Sequence, residues 1–228
     1  MIEEIVRHDT LFEEVFADPP GDPVKGLFHE EAELVAKAVE KRQREFSTVR
    51  ACARAALARL GRAPAPLLPN KRGAPQWPAG VVGSMTHCDG YRAAVVADAA
   101  GMLGLGIDAE PNQPLPDGVL EMISLPEERV WIAEMASRRP EVHWGRLLFS
   151  AKESVFKTWY PLVGKELDFT EAEIRLDEAE RSFHARFLVP APTLGGVRTP
   201  ALTGRWTVRD GLLSTAICLP RTASGAAS

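Results

Sequence analysis

Apolar and polar positions recur along this chain with two periods, one helical and one strand-like, and the change from the first to the second happens twice. After a loop at 17–26 (ADPPGDPVKG), a helical period runs from about Glu30 to Leu60 and is ended by Gly61 and the proline-rich APAPLLP. Residues 81–86, 91–97 and 104–110 then read as strands. Helical signals resume from Pro116 to about Pro161, with a capping box at Ser124 and Glu127 and an apolar-faced segment from Trp144 to Tyr160. Strand-like runs follow at 172–176, 183–189, 204–208 and 212–219. In each half an Asp-Gly turn joins two strands, in THCDGYRAAVVA and in TVRDGLLSTAIC. That shared segment is short enough for chance to produce it. Taken with the repeated helix-then-strands order, it predicts an α+β chain of two related halves, 1–112 and 113–228, with a cleft between them.

Several polar residues interrupt these patterns. In KRQREFSTVRACARAALARL, the residues Phe46, Val49, Ala53, Leu57 and Leu60 form one apolar stripe at ~100° per residue. Arg42 and Arg50 project into that stripe, Arg54 lies on its edge, and Arg44, Arg59 and Arg62 point to solvent. A buried guanidinium needs an anion. Phosphate suits its planar fork, and an internal carboxylate would serve equally well. Lys71 and Arg72, in the loop NKRGAPQWP, would add charge to the same place or would simply be solvated.

In GLGIDAE, strand alternation puts Leu105, Ile107 and Ala109 on one face and Gly104, Gly106, Asp108 and Glu110 on the other. Two carboxylates about 7 Å apart, beside glycines that leave open space, call for a cation between them or a solvated face. Oxygen-only ligands favour Mg²⁺ over a softer metal. In FSAKESVFKTWYP, Leu148, Ala151, Val155 and Trp159 form one helix face, while Glu153 and Lys157 share another, as in any exposed Glu/Lys pair. His87, at a strand end, reads either as a structural group or as part of a site.

Composition narrows the function. A net charge of −4 and a pI near 5.8 argue against a general nucleic-acid binder. Cys52, Cys88 and Cys218 show no metal-ligand spacing and read as reduced thiols. With no basic-then-apolar leader and no run approaching the ~18 apolar residues of a span, a soluble cytoplasmic protein is expected.

In order, KRQREFSTVRACARAAL, KRGAPQWP, GSMTHCDGYRAA, GIDAE and FSAKESVFKTWYP resemble the 4′-phosphopantetheinyl transferase superfamily. The likeness is to its larger single-chain type, serving carrier proteins of polyketide, nonribosomal peptide (antibiotic) and siderophore synthesis, and to actinobacterial members sharing GSMTHC. It covers residues 41–160, and nothing diagnostic lies in 1–28 or 175–228. The resemblance implies two pseudo-equivalent α+β halves, each with helices on a small, mainly antiparallel sheet, and a monomer binding coenzyme A and Mg²⁺, or Mn²⁺, in the cleft. It assigns Asp108, Glu110 and Glu153 to the metal, and Arg42, Arg50, Lys71 and Arg72 to nucleotide phosphates. His87 would bond a phosphate oxygen with Thr86 beside it, and Lys157 would stabilise charge on the transferring phosphate. Glu153, ahead of a metal-bound water, is the candidate base. The implied reaction moves 4′-phosphopantetheine from coenzyme A to a serine of apo acyl or peptidyl carrier proteins. Because carrier proteins are acidic, residues 113–140, with Met122, Ile123, Leu125, Arg129, Arg138 and Arg139, read either as their docking surface or as a plain core helix with a solvated basic end. A non-catalytic coenzyme A-binding regulatory module and a Mg²⁺-dependent phosphohydrolase are the rival readings.

Overall fold

The helical period between Glu30 and Leu60 resolves into two helices, α1 (His29–Val35) and α2 (Glu40–Arg59), in the computed structural model of the chain, which describes residues 1–221. The last seven residues of the expected second half, 222–228, lie outside the described residues. The two helices are separate because Val39 is extended (φ −62°, ψ 152°), and the terminal carbonyl of Val35 accepts from Ala38 N and from the Gln43 side chain. Helix α2 ends where Gly61 takes φ +72°. Its face carries Cys52, Ala53, Ala56 and Leu57 into a core with Leu67, Val81, Ala94 and Val96, so small residues let helix and sheet approach closely.

Strands β1 (Leu11–Val15), β2 (Val81–Cys88) and β3 (Tyr91–Asp98) form an antiparallel sheet in the order β1-β3-β2. The first of them escapes the sequence patterns because LFEEV at a sheet edge is half-buried at every position and shows no alternation. Strand β4 (Met102–Pro111) precedes the expected boundary at residue 112, yet it is laddered to the last strand of the chain. With β5 (Ala172–Asp177), β6 (Ser182–Phe187), β9 (Ala201–Arg209) and β10 (Leu212–Pro220) it forms a five-stranded antiparallel sheet, β4-β10-β9-β6-β5. A short hairpin, β7 (Thr193–Leu194) and β8 (Val197–Arg198), lies between β6 and β9. Both Asp-Gly dipeptides are hairpin turns, with Gly90 at φ +75°, Asp210 at +53° and Gly211 at +76°.

The two sheets meet along β2 and β4 without a backbone ladder. Ile107 N donates to Ser84 Oγ (3.0 Å) and Ala109 N to Thr86 Oγ1 (3.0 Å), so β2 hydroxyls satisfy the outer edge of β4. Leu105, Ile107 and Ala109 pack with Tyr91, Ala93 and Val95 of the first sheet. The opposite face of β4 meets a helix.

The second half begins with α3 (Val119–Ile123), α4 (Pro126–Arg138) and α5 (Trp144–Val163). The cap of α4 sits one residue later than the sequence suggests: Glu128, not Glu127, reaches back to Leu125 N (2.8 Å), while Ser124 Oγ turns to the Leu120 carbonyl. Buried Glu128 also accepts from Ile174 N and pairs with buried Lys152 of α5 at 2.9 Å. The apolar face of α5 is as read: Leu148, Ala151, Val155 and Trp159 are buried against Phe183, Trp206 and Leu213.

Candidate active site

Two glycines of β4 determine how α5 approaches it. A Cβ at Gly106 would stand 2.2 Å from Ser154 O and from Thr158 Oγ1, and one at Gly104 would stand 2.9 Å from a Leu162 methyl. The glycines therefore leave no open space beside Asp108; the space is filled by α5. That contact brings the polar stripe of α5 to the carboxylates of β4. Lys157 Nζ donates to Asp108 Oδ1 (2.7 Å) and to Ile107 O (3.1 Å). Behind them, Ser154 Oγ lies 2.6 Å and Ser150 Oγ 3.0 Å from Thr215 Oγ1, on the β10 residue that pairs with Asp108.

Asp108 is 4% exposed, and its Oδ2 is buried with no hydrogen-bond partner among the described residues. Thr86 donates to Oδ1 at 3.2 Å while accepting from Ala109 N, so this hydroxyl is engaged beneath the cleft. Glu110 pairs with Arg146 at 3.1 Å, and burial, with Asp108 nearby, pushes its carboxyl up to about 7. Burial likewise raises the Glu153 carboxyl, Lys157 acting against it and Asp108 with it. Among the described residues no three His, Cys, Asp or Glu side chains converge closely enough to hold an ion by themselves. The unpartnered Asp108 oxygen, with the Glu110 and Glu153 carboxylates nearby, still suits a hard cation, with further ligands coming from outside the protein.

The cleft beside this cluster has a volume of about 450 Å³ and is lined by Arg42 and Arg50 of α2, Arg72, His87, and Glu153 and Lys157 of α5. Lys71 is exposed at the tip of its loop and does not line it, and Thr86, Asp108 and Glu110 lie outside its lining. Arg72 pairs with Glu166 at 2.8 Å. Contrary to its wheel position, Arg42 is not buried: it stands in the first turn of α2, 47% exposed, with Nη1 2.6 Å from His87 Nε2. The His87 side chain is 37% open, yet burial of the rest and the charges of Arg42, Lys157 and Arg92 push its pKa down to about 4. At neutral pH the ring is uncharged, and Nε2 accepts from Arg42.

Arg50 does point inward, and its anion is internal. Its guanidinium lies over the Phe46 ring (3.2 Å), donates twice to Leu67 O and sits 3.6 Å from Glu31, which is fully buried. Glu31 also takes Arg54 and Leu67 N, tying α1, α2 and the loop wall of the cleft together. Arg50→Ala is therefore expected to lower stability by about 3 kcal/mol, because a buried carboxylate loses a partner. Chemical denaturation measures this. An unchanged midpoint, with coenzyme A bound more weakly than dephospho-coenzyme A is affected, would return Arg50 to a 3′-phosphate role.

A profile described as the 4′-phosphopantetheinyl transferase N-terminal domain matches residues 30–97, and one for the 4′-phosphopantetheinyl transferase superfamily matches 104–209. The chain is 61% identical over 219 residues to the 4′-phosphopantetheinyl transferase Svp of Streptomyces mobaraensis, covering 96% of this chain and 89% of that one. The chain belongs to the 4′-phosphopantetheinyl transferase superfamily. Two further transferases agree: PptT of Mycobacterium tuberculosis, 46% identical over 94% of each chain, and Npt of Nocardia iowensis, 49% identical over 82% of this chain and 86% of that one.

In this transferase Arg146, Glu31 and the hydroxyls behind Asp108 join the site without being expected from the sequence. Arg146 was within reach of it, since residues 146, 150, 153 and 157 follow one another at steps of four, three and four along α5 and share its polar face. Glu31 carried no such signal: beyond the local bond from Phe28 N, its partners Arg50, Arg54 and Leu67 are 19, 23 and 36 residues away. No helix among the described residues is long and apolar enough to cross a membrane.

Proposed function

We propose that this transferase, as a cytoplasmic monomer, moves 4′-phosphopantetheine from coenzyme A onto a serine hydroxyl of apo acyl and peptidyl carrier proteins and releases adenosine 3′,5′-bisphosphate. The observation that carries this reading is the cationic lining of the cleft (Arg42, Arg72, Lys157) beside Glu153 and, through Lys157, Asp108, whose Oδ2 is buried without a partner among the described residues. Asp108, Glu110 and Glu153 would hold Mg²⁺, or Mn²⁺ in its place, and the ion's contribution when bound is to offset the charge of the diphosphate. Arg42 and His87 face the nucleotide phosphates, with Arg72 at the mouth; Lys71 gives only long-range attraction, and Thr86 holds Asp108. Lys157 neutralises charge gathering on the phosphoryl oxygens. The serine oxygen forms the new P–O bond, the bond to the departing bisphosphate breaks, and Glu153 takes the serine proton.

Carrier docking on residues 113–140 has apolar support: Met122 is 70% and Val130 62% exposed. Ile123 is buried, Arg129 bonds back to Ser124 O, and Arg138 and Arg139 are paired with Glu178 and Glu141, so charge attraction adds little there.

Incubation with coenzyme A, Mg²⁺ and an apo carrier is expected to add ~340 Da to the carrier, the mass of a phosphopantetheine ester. Release of adenosine bisphosphate with no carrier present would instead indicate a hydrolase. Glu153→Gln separates the two roles of that residue. As a metal ligand its loss is partly recovered at high Mg²⁺, because the amide still offers an oxygen; as a base it leaves a flat, low plateau. Partial recovery is expected from both roles together, and full rate at every Mg²⁺ concentration would give Glu153 neither.

A further inference from the structure

Next to the two residues proposed to face phosphate stands an anion that the reaction does not use. The carboxylate of Glu45, on α2, is 14% exposed. Its Oε2 lies 3.8 Å from Arg42 Nη1 and 3.8 Å from His87 Nε2, and its Oε1 lies 3.8 Å from Arg92 Nη2. Arg92 is 5% exposed and is held in turn by Asp18 at 2.7 Å and by the carbonyls of Tyr91 and Cys88 in the β2–β3 turn. One helical turn before Glu45, Lys41 pairs with Asp89 of the same turn at 3.0 Å. Two ion pairs, Lys41–Asp89 and Glu45–Arg92, thus register the start of α2 against the β2–β3 hairpin.

A carboxylate this close to a phosphate site repels the ligand, so direct contact cannot be its contribution. Its geometry gives it another. Without an anion between them, the guanidinium groups of Arg42 and Arg92 repel each other, and half-exposed Arg42 is free to swing into solvent. We propose that Glu45 is a positioning residue: it holds Arg42 against His87 and fastens both to buried Arg92, so that the donors of the phosphate corner are in place before the ligand arrives. The segment carrying Asp18 thereby acquires a role, as the outer anchor of Arg92. This inference rests on the reading that Arg42 and His87 meet a phosphate of coenzyme A.

Calorimetric titration of coenzyme A and steady-state kinetics on Glu45→Ala, Glu45→Gln, Arg42→Ala and the Glu45→Ala/Arg42→Ala double variant test it, with melting temperature followed throughout. Glu45→Ala is expected to weaken coenzyme A binding about ten-fold, as for loss of one charge-assisted contact. KM for coenzyme A should rise while kcat at saturation changes less than about two-fold, since the reacting phosphorus is elsewhere. Glu45→Gln, which keeps the volume of the side chain, should show the same split if Ala proves poorly folded. The double variant should bind no more weakly than Arg42→Ala alone, because Glu45 acts through Arg42. Wild-type affinity in both Glu45 variants, additive losses in the double variant, or a fall in kcat at constant KM would each overturn the proposal. Wild-type affinity in Arg42→Ala is a different failure: it removes the phosphate-site reading itself, and the positioning role with it.

Discussion

Asp108→Ala is expected to lower the rate of phosphopantetheinyl transfer by at least about 10³-fold with little effect on folding. The two oxygens of this carboxylate have different surroundings. Oδ1 anchors Lys157 and receives the Thr86 hydroxyl, while Oδ2 is buried without a partner among the described residues. A buried anionic oxygen left unsatisfied by the protein is costly unless a ligand completes it, and that is the property of a cation site. Removing the side chain takes away this oxygen and loosens Lys157, the cation proposed to face the reacting phosphoryl group. It removes no apolar packing, and Lys157 keeps the Ile107 carbonyl. Asp108→Asn, which keeps the size, should lose nearly as much, because an amide lacks the charge. Initial rates at saturating Mg²⁺, read beside thermal melts, decide the matter: more than a tenth of wild-type turnover in a folded variant would take Asp108 out of the chemistry.

Gly106→Ala is expected to cost about 3 kcal/mol of stability, a drop of about 6–12 °C in Tm for a chain of this size, and to reduce transfer further than unfolding explains. The added methyl would meet Ser154 O and Thr158 Oγ1 at 2.2 Å and Thr158 N at 3.0 Å. Two of these three atoms are helix backbone and cannot rotate aside, so α5 must lift from β4 and carry Glu153 and Lys157 away from Asp108. Gly104→Ala supplies the contrast. Its nearest neighbour is the end of a leucine side chain at 2.9 Å, which can change rotamer, so about 1 kcal/mol is expected. Gly101, with nothing within 4 Å of its added Cβ, should tolerate alanine without loss. Equal melting temperatures for the three variants would show that α5 is not held against β4 by this contact.

The chain's own letters determine much of what depends on near neighbours. The alternation in GLGIDAE sets which side chains share a face of β4; the stripe Leu148, Ala151, Val155, Trp159 sets the buried face of α5; and the two Asp-Gly dipeptides supply the positive φ that short hairpins need. Because Glu153 and Lys157 stand one turn apart and Asp108 and Glu110 two residues apart, each pair was legible as a pair. What lies opposite each pair was not legible. Strand β4 reads as the third strand of the first half, yet its ladder partner is β10, a hundred residues on, and only that pairing puts Thr215 and its hydroxyl contacts behind Asp108. Arg50 presents the same fork to a phosphate as to a carboxylate, and only the packing of α1 on α2 puts fully buried Glu31 within reach of it. Thr86 reads as a cleft residue from its place beside His87, whereas the approach of β2 to β4 turns its hydroxyl inward. Local sequence sets backbone conformation and the direction of each side chain, because both are governed by sterics over a few residues. The choice between a ligand and an internal partner for a charged group is made by which distant segment is packed against it, and that follows from burial summed over the whole fold.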